Sequence, residues 1–293
     1  MKYMSSGIPQ VIERDIAERL GTEIRSFSRL GGGCINHGGR LTTLRGEFFL
    51  KWNDAKSLPG MFEAEAKGLS LLRNVGSIRI PNVHEMGEVG EFQYLLLEFI
   101  VEGRRTQTYW KHFAEGLASI HKEPHSHSGL DHDNYIGSLP QKNKQLPSWI
   151  DFFVEYRLQP LVSQAVDNRA LEVGEARFFE DLYRKLNDII PEEPMSLLHG
   201  DLWSGNLMTD EQGLPCLIDP AVYYGHREVD IAMTRLFGGF DGRWLEYYNK
   251  CYPLAPGYEE RLDLYNLYPL LVHVNLFGAG YRNQLLALLR RFL

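Results

Sequence analysis

The sequence predicts an α+β protein of two lobes, a small mixed β-sheet lobe over residues 1–101 and a larger, mainly helical lobe over 102–293. Three observations lead there. Short alternating or apolar runs crowd residues 23–53, helical spacing of apolar residues dominates after Gly103, and the texture changes near 100–105. A chain of 293 residues suffices for one large domain or for two lobes with a sizeable core.

Each element follows from local pattern. Pro9, then Val11, Ile12, Ile16 and Leu20 at helical spacing, then Gly21, read as a short amphipathic helix with a glycine stop. "EIRSFSRL", "GRLTTLRG" and "EFFLKWN" read as three antiparallel strands, separated by "GGGCINHGG" and by Gly46. Phe62, Ala66, Leu69 and Leu72 give "PGMFEAEAKGLSLLRN" a helical face. Pro81 opens an extended segment, and "FQYLLLEFI" is a buried-strand candidate. Beyond the break, "TQTYWKHFAEGLASIHK", "SWIDFFVEYRLQPLVSQA" and "GEARFFEDLYRKLNDII" are helix candidates. The first two are joined by a polar segment near 123–147, which reads as a long loop of the kind that is functional or disordered. "MSLLHG" and "LPCLIDP" read as strands, and the last 60 residues as helical.

Composition excludes several classes. No run of 18 apolar residues could span a bilayer, and the first 20 residues lack a signal-peptide core and cleavage site, so the expected setting is the cytoplasm, away from membranes. Cys34, Cys216 and Cys251 are few, odd in number and without metal-like spacing, in keeping with a reducing compartment. A net charge of −7 argues against nucleic-acid binding, which rests on clustered Lys and Arg.

The chemistry concentrates in "LLHGDLWSGNLM". Phosphoryl transfer from a nucleotide needs a cation on the phosphates, metal ions that bridge them and a group that orients the acceptor hydroxyl. Asp201 is followed by Asn206 five residues on, and Asp219 closes the run "LPCLID" thirteen residues later. This order and spacing match the catalytic Asp, the metal-binding Asn and the metal-binding Asp of protein-kinase-like phosphotransferases, with "HGD" for "HRD" and "IDP" for "DFG". Upstream, Lys51 lies on the expected third strand and Glu65 on the following helix, where the two could pair; Glu63 competes for that partnership. Alone, Asp219 reads as a turn residue and Lys51 as a solvated strand lysine; the combination carries the functional reading.

Other features keep two readings. The glycine cluster Gly31, Gly32 and Gly33 fits a hairpin loop or a phosphate-covering loop whose backbone N–H groups approach the anion. His199 reads as scaffold rather than proton carrier, and Asp230 as a helix cap or a buried anchor for the catalytic loop. His121, His125, His127 and His132 do not make a zinc site, because Pro124 interrupts the one pair at helical spacing.

The fuller wording "HGDLWSGN", "IDPAVYYGHREVDIAMTRLFGGF", "LGGGCIN" and "DNYIGSLPQKN" resembles the fructosamine kinase (ketosamine 3-kinase) family from about residue 7 to the C-terminus, within the protein-kinase-like, aminoglycoside phosphotransferase-like bilobal fold. The resemblance implies phosphorylation of the 3-hydroxyl of fructosamine or ribulosamine adducts with ATP and Mg2+, and a role in deglycation. It implies that Lys51 holds the ATP phosphates, Glu65 positions Lys51, and Glu98, Phe99 and Ile100 form the hinge that binds adenine. Asp201 would orient or deprotonate the sugar hydroxyl, with Asn206 and Asp219 on magnesium. Asn134, Trp203, His226 and Arg227 would lie on the substrate side; Trp203 could stack on a sugar ring or pack between lobes. Leu130 departs from the aromatic residue expected in that loop. Cys34 resembles a position that can link a redox-sensitive homodimer, the alternative being a free thiol in a monomer. The same ATP machinery also serves aminoglycoside, choline or homoserine acceptors, and a non-catalytic regulatory protein is a further alternative.

Overall fold

The computed structural model describes residues 7–31 and 36–293. Its first part comprises α1 (Gln10–Leu20), β1 (Ile24–Arg29), β2 (His37–Thr43), β3 (Gly46–Asp54), α2 (Met61–Val75), β4 (Val83–Val89) and β5 (Phe92–Glu98). The strands form one antiparallel sheet in the order β1-β2-β3-β5-β4. Period-two alternation makes it two-sided. Leu41, Phe48, Leu50, Trp52, Tyr94 and Leu96 pack against Ile12 and Ile16 of α1, whereas Leu95 and Leu97 join Phe62, Leu69 and Leu72 of α2 in the main core. Gly21 ends α1 in the left-handed region at φ 57°, as its sequence position suggests.

The second part comprises α3 (Tyr109–His121), β6 (Pro124–His125), β7 (Asn134–Ile136), β8 (Leu139–Gln141), α4 (Trp149–Phe152), α5 (Gln159–Asp167), α6 (Val173–Tyr183), α7 (Leu186–Ile189), β9 (Met195–Leu198), β10 (Leu207–Thr209), β11 (Pro215–Leu217), β12 (Tyr223–Gly225), α8 (Glu228–Leu236), α9 (Arg243–Cys251), α10 (Tyr258–Tyr265), α11 (Leu267–Phe277) and α12 (Arg282–Leu289). A π-helical turn, Phe153–Leu158, joins α4 to α5 without a break. The short sheet β12-β9-β6 and the hairpin β10-β11 present the motif segments. No described helix is long and apolar enough to cross a membrane.

Three local expectations change. The glycine-rich loop is shorter than its sequence suggests, because β2 already includes Gly38 and Gly39; a Cβ at Gly39 would lie 2.3 Å from the Ser28 carbonyl oxygen, so strand pairing there requires glycine. The segment 123–147 is ordered as a strand and a hairpin, and Asp133 accepts from the Asn143 N–H at 2.9 Å, so polar side chains replace backbone partners. The helix expected over 174–190 breaks between Tyr183 and Leu186 into α6 and α7.

Candidate active site

Strand β3 carries Lys51 inward, opposite Leu95 of β5, and burial leaves its ammonium almost no water. An isolated buried cation would be costly, and two carboxylates compensate. Lys51 Nζ donates to Glu65 Oε1 at 2.8 Å and to Asp219 Oδ1 at 2.5 Å. Burial acts to lower the Lys51 pKa, but Asp219 and Glu65 outweigh it and hold the lysine charged, with its pKa raised above the ordinary value. Glu63 faces solvent and pairs with Lys67 at 2.7 Å, so the helix presents Glu65, not Glu63, to Lys51.

The segment after β9 is fixed from below. Leu197 and Leu198 are fully buried, and the Asp230 carboxylate at the start of α8 accepts the backbone N–H of His199 at 2.7 Å and of Gly200 at 2.9 Å. The same carboxylate lies 3.1 Å from His121 Nε2, whose other ring nitrogen is 2.7 Å from the Tyr248 hydroxyl. Gly200 has φ 81°, and a Cβ there would sit 2.1 Å from the Ala221 carbonyl oxygen. Asp230 is thus a buried anchor. His199 is scaffold, with Nε2 3.0 Å from the Ile218 carbonyl and its pKa lowered, first by burial.

Above this anchor, Asn206 Nδ2 donates to Asp201 Oδ2 at 2.9 Å and to the Asp201 carbonyl at 2.8 Å. Burial, with Asp219 and Asp230 adding to it and the Asn206 bond opposing, pushes the Asp201 carboxyl up to about 7. Asp219 takes φ 53°, a left-handed conformation that non-glycine residues rarely hold. Asn206 thereby lies between the two aspartates.

Magnesium fits the oxygens on offer. Asn206 directs its Nδ2 at Asp201, and Lys51 uses only Oδ1 of Asp219. Asn206 Oδ1 and Asp219 Oδ2 therefore have no hydrogen-bond partner among the described residues. One carboxylate and one amide oxygen, with phosphates and water completing the shell, suit a hard cation that keeps much of its hydration.

The remaining expected residues divide. Glu98 ends β5, and its side chain holds Arg79 Nη2 at 2.6 Å and Asn82 Nδ2 at 2.9 Å. Phe99 lies under the Arg40 guanidinium, and the Ile100 backbone makes no hydrogen bond among the described residues. Trp203 is half-buried, with its ring edge-on to Phe237 at 6.3 Å. Gly31 is exposed; Gly32, Gly33 and Cys34 lie outside the described residues.

Three residues expected on the substrate side are instead interior. Asn134 is buried and donates to the Val222 carbonyl at 2.8 Å while accepting from Gln141 and Asn143. His226 stacks on Tyr265 at 5.3 Å, and Arg227 binds Glu193 through Nε at 2.7 Å and Nη2 at 2.9 Å. Asn134 and Arg227 thus spend their polar groups on interior partners, as burial demands, while His226 Nε2 is buried without a hydrogen-bond partner among the described residues. Sequence reasoning also missed Arg79, which ties Glu98 to Asp210 at 3.0 Å and Glu211 at 2.8 Å. The pairs with Asp210 and Glu211 are more than 100 residues apart in the chain and leave no local pattern.

Comparison with known proteins follows the same geometry. The fructosamine kinase family profile matches residues 8–293. A chloroplastic protein-ribulosamine 3-kinase from Oryza sativa subsp. indica is 38% identical, over 95% of this chain and 82% of its own. A solved structure from Thermobifida fusca, provisionally named a fructosamine-3-kinase, superposes with a TM-score of 0.88 at 34% identity, covering 97% of this chain and 98% of that one. Aminoglycoside phosphotransferase APH(4)-Ia, at 16% identity over 96% and 98% of the two chains, shares the fold with a TM-score of 0.64. The kinase-like fold, the Lys51, Asp201, Asn206 and Asp219 arrangement and the full-length match agree: this chain belongs to the fructosamine kinase family.

Proposed function

We propose that this protein transfers the γ-phosphoryl group of ATP to the 3-hydroxyl of a ketosamine, a fructosamine or ribulosamine adduct, in repair of glycated proteins or metabolites. The observation that carries the reading is the convergence of Lys51, Asp201, Asn206 and Asp219 from elements up to 168 residues apart. The names of the relatives supply the acceptor class.

Lys51, aimed by Glu65, neutralises phosphate charge, a contribution that strengthens in a water-poor site. Asn206 Oδ1 and Asp219 would hold Mg2+, which when bound neutralises charge on the bridging phosphate oxygens. Asp201 orients the acceptor hydroxyl and takes its proton. A carboxyl near 7 binds that proton far better than an ordinary aspartate, while Asn206 fixes its direction. The backbone of Glu98, Phe99 and Ile100 supplies the adenine edge, and Gly31, Gly32 and Gly33 cover the phosphates. Trp203 offers an indole face to the apolar side of the sugar ring.

In this reading residues 1–101 hold the nucleotide and 102–293 the metal and acceptor, in the cytoplasm. A Cys34-linked dimer is a separate proposal drawn from the sequence; a monomer-only non-reducing gel after oxidant treatment refutes it. An ADP-release assay with Mg-ATP and fructosyl-lysine, ribulosyl-lysine, free sugars, kanamycin and choline tests the function, with Asp201→Asn as control. Turnover confined to the two ketosamines is expected. Turnover of kanamycin or choline alone overturns the acceptor, and nucleotide binding without any turnover favours a regulatory protein.

A further inference from the structure

Arg157 is fully buried, and among the described residues no carboxylate lies within ion-pair distance of it. Its guanidinium instead lies 4.0 Å from the Tyr223 ring centre and 4.5 Å from that of Phe152. Its position comes from the π-helical turn Phe153–Leu158. Pro160, just inside α5, has no N–H to give the Tyr156 carbonyl four residues back, and its ring would crowd that carbonyl in an unbroken α-helix. The wider turn relieves the crowding, and the Tyr156 carbonyl accepts from Arg157 Nη1 at 3.0 Å. One proline therefore accounts for both the π turn and the capture of a guanidinium in the interior.

From Arg157 a chain of hydrogen bonds runs towards the metal-side segment. Nη2 donates to Asn143 Oδ1 at 2.6 Å, and Asn143 Nδ2 donates to Asn134 Oδ1 at 2.9 Å. Gln141 Nε2 donates to Asn134 Oδ1 at 2.7 Å and to the Ala221 carbonyl at 3.2 Å, while the Tyr268 hydroxyl donates to Gln141 Oε1 at 2.5 Å. Asn134 Nδ2 closes the chain on the Val222 carbonyl at 2.8 Å. Ala221 and Val222 follow Asp219 by two and three residues, and the Ala221 N–H donates to the His199 carbonyl at 2.9 Å. The network thus grips the peptides that follow the left-handed Asp219 and joins them to the segment leading to Asp201.

We propose that Gln141 and Asn134, themselves held by Asn143, Arg157 and Tyr268, are positioning residues that keep Asp219 in its metal-binding conformation. A left-handed non-glycine backbone is strained and persists only where its surroundings fix it. A buried network whose amide donors end on the two following carbonyls provides that constraint. The inference rests on the assignment of Asp219 to magnesium and gives Asn134 its place: behind the site rather than on the substrate.

The test measures ATP affinity by calorimetry with Mg2+ and with EDTA, beside melting temperature, for the full chain, Gln141→Met, Tyr268→Phe and Asp219→Asn. Tyr268→Phe removes one hydroxyl and keeps the ring, so it reports even where Gln141→Met fails to fold. The expected result is an about tenfold smaller Mg2+-dependent gain in ATP affinity for Gln141→Met, the scale typical of outer-shell partners. Tyr268→Phe should reduce the gain about threefold, with the EDTA affinity of both variants within about twofold of the parent. An unchanged gain in both variants, with the gain lost in Asp219→Asn, overturns the network and keeps the metal assignment. A gain retained in Asp219→Asn overturns the metal assignment and this inference with it. Parallel losses in both affinities and in melting temperature reduce the network to general packing and overturn its positioning role.

Discussion

Lys51 and Asp219, 168 residues apart, meet at 2.5 Å between Nζ and Oδ1, so one contact joins the sheet to the segment that follows β11. Glu65 holds the same ammonium from α2 at 2.8 Å. The lysine is therefore fixed in direction and kept charged, which is what a phosphate-binding cation requires. Lys51→Met should lower kcat/KM for ATP by about a hundredfold, the scale of one removed charge-stabilising donor. Glu65→Gln keeps the cation and loosens its aim, so its effect should be smaller. Initial rates across an ATP titration distinguish the two.

Asp201 has a different signature. Its carboxylate is bound by Asn206 and takes no part in the Lys51 cluster, so substitution should spare the nucleotide. Asp201→Asn should reduce kcat by about 10²–10⁴-fold, the usual range for a positioned proton acceptor. Nucleotide affinity, read by calorimetry, should stay within about twofold of the parent. A matching loss of affinity would move Asp201 from the acceptor to the nucleotide.

Asp230 supports this arrangement without entering it. It is fully buried and satisfies the N–H groups of His199 and Gly200 and one nitrogen of His121. Asp230→Ala leaves all three without that partner in the interior. The expected destabilisation is about 3–5 kcal/mol, read from urea unfolding. A loss below about 1 kcal/mol would show that the segment holds its shape unaided.

How much of this was legible in the sequence depends on whether the signal was local. "FFLKWN" placed Lys51 on a strand, helical spacing placed Glu65, and the intervals between Asp201, Asn206 and Asp219 marked a shared site, because each is set by one element or one turn. Trp203 was noticed, and its half-buried place beside Phe237 leaves one ring both packing and available. Motif resemblance puts Asn134, His226 and Arg227 on the substrate side but carries no information on burial, and the structure buries all three against Val222, Tyr265 and Glu193, contributed by other parts of the chain. The π turn at Arg157 was equally hidden. Pro160 was visible within the helix candidate, but whether a proline kinks, ends or widens a helix is decided by what can take the freed carbonyl.

His226 makes the interior sensitive to acid. Burial lowers its pKa from 6.5 to about 4, opposed by Glu193 and reinforced by Arg227 and Arg261. In the unfolded chain the ring takes up a proton near 6.5; in the folded chain it resists until about 4. Its stabilising contribution is therefore fully present above about pH 6.5 and is lost as the pH falls towards 4. The shift corresponds to at most about 3–4 kcal/mol, at roughly 1.4 kcal/mol per pH unit. His226→Phe keeps an aromatic face for Tyr265 and removes the titration. Its unfolding free energy, measured by urea at pH 7 and pH 5, should fall less than the parent's, by about 1–2 kcal/mol. Equal falls would show that the ring is already protonated in the folded protein at pH 5, with Glu193 holding it as a cation.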